Sequence, residues 1–87
     1  MSVFAIISTG RHTALEQEIS HQFPNDHFKL NDWSWLVASP KTVKEVSDDL
    51  GISDGSKGLG MVCLVEAYFG RAPNNLWPWV KTKMEAS

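Results

Sequence analysis

The chain has one cysteine, Cys63, among its 87 residues. An intrachain disulfide is therefore excluded. The thiol sits in the apolar run GMVCLVEA, which suits a small core residue in a reducing compartment. A reactive thiol would want basic neighbours, and none adjoins it. Basic residues are few: eight Lys and Arg stand against ten Asp and Glu, for a net charge of −2. They are also dispersed, as Arg11, Lys29, Lys41, Lys44, Lys57, Arg71, Lys81 and Lys83, with no basic run. That argues against a dedicated nucleic-acid binder, although charge can still cluster in three dimensions. No apolar stretch approaches the roughly 18 residues of a membrane span. The opening MSVFAIISTGRH lacks a positive n-region and does not read as a signal peptide. A soluble cytoplasmic protein is expected.

Chemical signatures are also missing. SDGSKGLG (residues 53–60) is Gly-rich, but G-x-x-x-x-G-K-[ST] is absent, and the loop runs from helix to strand, opposite to what a phosphate loop needs. It reads as a flexible connector that orders on contact with a partner. His12, His21 and His27 share no metal-ligand spacing. Ser8, Ser34 and Ser39 have no G-x-S-x-G context. The acidic pairs Asp48-Asp49 and Glu16-Glu18 fall on predicted exposed helix faces, where general acid–base work has no burial to shift a pKa. No catalytic residue, metal or cofactor is expected.

What the chain has is tryptophan, in two W-x-W pairs: Trp33 with Trp35, and Trp77 with Trp79. VFAIIS (3–8) is β-branched and aromatic, and reads as a strand buried on both faces. TALEQEISHQF carries the capping-box spacing Thr13/Glu16 and the stripe Leu15, Ile19, Phe23 of a helix, stopped by Pro24 and Asn25. HFKL and WSWLVAS read as two strands joined at Asn31-Asp32, with a register uncertain by a residue or two. SPKTVKEVSDDLGI reads as a helix capped at Ser39 with Pro40 in its first turn. Thr42/Glu45 repeats the capping-box spacing, Val43, Val46 and Leu50 form the stripe, and Gly51 is the C-terminal stop. MVCLVEAYF reads as a strong strand. The tail LWPWVKTKMEAS reads as a short helix after Pro78, with Lys81 and Lys83 toward its C-terminal half.

The element order β-α-β-β-α-β plus a tail predicts an α+β, ferredoxin-like single domain over residues 1–87. Both helices lie on one face of a four-stranded antiparallel sheet. The first and third strands are central and the tail (72–87) is an interface arm. Alternation then raises a difficulty. Val3, Ala5 and Ile7 oppose Phe4 and Ile6; Trp33, Trp35 and Val37 oppose Leu36 and Ala38; Met61, Cys63 and Val65 oppose Val62 and Leu64. Both faces are apolar, and two helices cover only one. The second face is expected to meet a copy of itself, another protein or the tail, with a homodimer favoured. Its interface is expected to draw on Phe4, Ile6, Leu36, Leu64, Tyr68, Trp77 and Trp79. Trp35 is expected in the core. Trp33, beside the turn, is expected to line a groove. In STGRH (8–12), Arg11 and His12 at a helix N-terminus offer an anion or partner contact, against an ordinary solvated turn.

The N-terminal strand and helix, the WLVAS strand and the following TVKEVSDDLGI resemble one group of small proteins. These are the ferredoxin-like subunit of CRISPR adaptation complexes and its stand-alone, SinR-like relatives. GRAPNNLWPWV resembles their tryptophan-bearing tail, and the resemblance covers nearly the whole chain. It implies a homodimer formed by packing sheets together and exchanging tail segments. CRISPR members bind duplex DNA or sit beside an integrase, and some are metal-dependent nucleases. That chemistry is assigned to an aspartate at the end of the first strand. Here Ser8 and Thr9 take that position, and neither suits a hard metal ion. The reading that follows is a non-enzymatic homodimeric protein-interaction module that binds another protein. Its expected setting is a phage- or plasmid-type accessory factor acting on a CRISPR-type host defence. Two alternatives stand beside it. One is a nucleic-acid-binding or metal-dependent nuclease relative of the adaptation subunit, and the other is a small-ligand sensor using the dimer cleft.

Overall fold

In the computed structural model the described residues are 1–10, 13–68, 70 and 76–85. The chain forms β1 (Ser2–Ser8), α1 (Thr13–Gln22), β2 (His27–Asn31), β3 (Ser34–Ser39), α2 (Val43–Asp49), β4 (Gly60–Val65) and α3 (Leu76–Glu85). The four strands make one sheet in the order β2-β3-β1-β4, and all three pairings are antiparallel. The fold is thus α+β, with β1 and β3 inside the sheet and β2 and β4 at its edges.

Register decides which face each strand residue takes. Phe4 pairs with Val37 and Ile6 with Trp35, so these four share a face. They are fully buried with Leu15 and Ile19 of α1, Val46 of α2 and Leu50 at the end of α2. The opposite face carries Val3 and Leu36, which form a second core with Leu76 and Val80 of α3. Phe28, Val65, Trp77, Trp79 and Met84 pack around it. The molecule therefore has three layers: α1 and α2, the sheet, then α3.

This corrects two expectations. Phe4 and Ile6 do not belong to an outward interface with Leu36. They lie on the other side of the sheet, enclosed by α1 and α2. The apolar second face, the ground for expecting self-association there, is covered in part by the chain's own tail helix.

Local signals set the boundaries. Thr42 is the N-cap of α2. Its Oγ1 accepts from the Glu45 N–H at 3.2 Å, and Glu45 Oε1 accepts from the Thr42 N–H at 3.0 Å. Ser39 is not the cap; its Oγ accepts from the Lys41 N–H and shapes the entry turn. With the helix starting at Val43, that residue is exposed, and the buried stripe reduces to Val46 and Leu50. Gly51 takes φ +70° immediately after the C-cap Leu50, a conformation that favours glycine. The β2–β3 turn is centred on Asp32 and Trp33, one residue later than expected, because Asn31 pairs with Ser34. Asn31 Oδ1 accepts from the Trp33 N–H and the Ser34 hydroxyl, fixing that turn. α3 begins at Leu76, two residues before Pro78. A proline in the first helical turn removes an N–H that has no intrahelical acceptor. β4 stops at Val65, short of the expected run through Phe69.

Candidate interaction surface

α3 reaches only part of the second face. It covers the rows of Val3, Phe28, Leu36 and Val65. One row on, Ile7 lies opposite both Ser34 and Met61. There Ile7 is 39% and Met61 50% exposed, so the cover ends before this row. Trp33, Leu59 and Leu30 lie in or beside the turns and strand ends at the same end, and all three are exposed. Backbone hydrogen bonds tie this end together: the Ser8 N–H donates to the Trp33 carbonyl and the Thr9 N–H to the Leu59 carbonyl. Leu64 is also exposed, at 45%, on the β4 edge, but it lies opposite Phe4 and so on the other face of the sheet.

The tail is held by its own chain. Trp79 meets Phe28 with ring centroids 5.8 Å apart and planes tilted by 55°. Trp77 stacks on Tyr68 at 5.5 Å, with Tyr68 left exposed on the outer side. Lys83 Nζ pairs with Asp26 Oδ1 at 2.5 Å, joining α3 to the turn that enters β2. Of the expected interface residues, Trp77, Trp79 and Leu36 thus sit at the contact between sheet and tail. Leu64 and Tyr68 are outward, and Phe4 and Ile6 are internal. Trp35 is buried, whereas Trp33 is half-exposed at the turn. Arg11 and His12 lie outside the described residues.

The two sheet edges differ. β2 carries Lys29, which pairs with Glu16 of α1 at 2.5 Å and with Asp32 at 3.5 Å, and its register is irregular between Lys29 and Asn31. Charge and irregularity both discourage a further strand from adding there. β4 reads GMVCLV, with unbroken register against β1. Edge composition was the signal that sequence reading left unused.

Ionisable groups are arranged for surface structure. The hydrogen bond from Lys29 to Glu16 raises the lysine above its ordinary value. The Thr42 backbone N–H lowers Glu45, the Lys44 ammonium lowers Asp48, and the Ser56 backbone N–H lowers Asp54. Each shift comes first from a local hydrogen bond at the surface, unlike the burial-driven shifts of acid–base sites. The Ser8 hydroxyl is buried and donates to the Gly10 carbonyl at 3.1 Å. Among the described residues, no three His, Cys, Asp or Glu side chains converge on a metal-sized site. A pocket of about 210 Å³ opens beside Val3, Leu64, Glu66 and Met84. It is smaller than the roughly 300–1,000 Å³ of small-molecule sites. No helix among the described residues is long and apolar enough to cross a membrane. Comparison with protein-family models, curated proteins and solved structures finds no match.

Proposed function

We propose that the chain is a ferredoxin-like protein-interaction module that works by self-association and by binding another protein, without catalysing a reaction. The observation that carries this reading is the uncovered apolar ground at one end of the sheet. Ile7, Trp33, Leu59 and Met61 are each at least 39% exposed in a chain of 87 residues. Exposed large apolar side chains gathered in one region mark a contact surface, whereas single scattered ones do not. The ferredoxin-like part of the reading is supported by the β-α-β-β-α-β order followed by α3, and by β1 and β3 inside the sheet. It is supported further by α1 and α2 sharing one face.

Light scattering tests the reading. The expected mass is twice 9.7 kDa at micromolar concentration, and a monomer throughout would sink self-association. Incubation with RNA and DNA in Mg²⁺ or Mn²⁺ tests the nuclease alternative. Cleavage that EDTA abolishes would replace the interaction reading.

A further inference from the structure

The outer edge of β4 has a chemistry of its own. The Thr9 N–H donates to the Leu59 carbonyl at 2.9 Å. In an antiparallel ladder, bonded pairs alternate. Val3, Ala5 and Ile7 therefore exchange bonds with Val65, Cys63 and Met61 in the register observed. The N–H and C=O groups of the intervening Gly60, Val62 and Leu64 point away from β1. Among the described residues, no backbone group pairs with them. A row of such groups takes an extended strand as its partner.

We propose that the partner is a second copy of this chain, joined antiparallel along β4 to make a continuous eight-stranded sheet. This rests on the self-association reading above and assigns its contact. Three features favour a copy over a foreign strand. The outward groups are symmetric about Val62, so a two-fold axis sets Val62 against the partner's Val62. Gly60 then lies against the partner's Leu64, and all three residues exchange bonds. No charged residue lies between Gly58 and Val65, so no like charges meet within the strand. Charge brackets the strand instead: Lys57 precedes it and Glu66 follows it. Antiparallel pairing brings each copy's Lys57 end to the other's Glu66 end, at both ends of the seam. Neither residue takes part in an ion pair among the described residues.

Amide hydrogen exchange on the unaltered protein, followed by NMR across a concentration series with the mass measured in parallel, tests the assignment. The expected result is a doubled mass together with at least tenfold slower exchange at Val62 and Leu64, while the exposed Lys29 edge of β2 is unchanged. Leu64→Lys should return the protein to monomer, and Leu30→Lys, at the opposite edge, should leave the dimer intact. Lys57→Glu should raise the dissociation constant about tenfold by reversing two exposed pairs, and the added change Glu66→Lys should restore it. A dimer whose Val62 and Leu64 amides exchange as fast as in the monomer overturns the β4 contact and leaves self-association standing. A monomer at every concentration overturns both.

Discussion

Replacing Trp79 by alanine separates a tail that belongs to its own chain from a tail that anchors a partner. Trp79 is half-buried and packs on Phe28 beside Val3, Leu36 and Val80. Removing a fully buried Phe or Trp side chain costs roughly 3–5 kcal/mol. Part of the Trp79 ring stays in solvent, which lowers that figure. The tilted contact with Phe28 contributes about 0.5–1.5 kcal/mol of it. The expected loss is about 2–3 kcal/mol, a large share of the roughly 4–13 kcal/mol available to a chain of this length. Thermal unfolding should show the midpoint lowered by roughly 10–20 °C. The loss should not depend on protein concentration, because the contact is within one chain. A loss that shrinks as protein concentration rises would refute the reasoning, since it would place Trp79 between chains. A loss under about 1 kcal/mol would refute it too, since the ring would then bury little.

Four further outcomes follow from the geometry. Thr42→Ala removes the α2 cap and should cost about 1 kcal/mol in urea unfolding, with no change in oligomeric mass. Glu45 is held below its ordinary 4.5 by the Thr42 N–H, so its contribution is fully present above that pH and is lost as pH falls through the lower folded value. The stability difference between the wild type and Glu45→Gln should therefore narrow in unfolding curves taken below about pH 4.5. Gly60→Ala places a Cβ 2.8 Å from the Ile7 carbonyl oxygen, which must move with the β1 backbone, so melting should show a loss of about 1–3 kcal/mol. Lys83→Ala breaks the partly buried link to Asp26, and a double-mutant cycle with Asp26→Asn should give a coupling of roughly 1 kcal/mol.

Local signals carried much of this fold in the sequence. The Thr42/Glu45 spacing marks the α2 capping box, Gly51 marks its end, and Leu15 and Ile19 mark the buried side of α1. What local reading did not contain was the choice of face. In β1, Val3 and Ala5 are as apolar a set as Phe4 and Ile6, so alternation alone does not say which meets the helices. Pairing to β3 says it, by setting Phe4 and Ile6 beside Val37 and Trp35. The tail shows a related effect. Pro78 suggests a helix that starts after it, whereas the first turn tolerates proline and α3 begins at Leu76. That earlier start brings Leu76 and Trp77 into the second core. The candidate surface is less legible in the sequence. Leu64 and Tyr68 are exposed, but the contrast between a charged β2 edge and an uncharged β4 edge needs the strand order to be seen.

The central claim is that the tail covers part of the second face within one chain and that two copies join along the β4 edge. Isotope-filtered NOE spectra of a sample mixed from labelled and unlabelled protein test it most directly. The account predicts Trp79–Phe28 contacts only within a chain, and contacts between chains only along the β4 seam from Lys57 to Glu66. Contacts between chains from α3 to Phe28 or Val3 would contradict it.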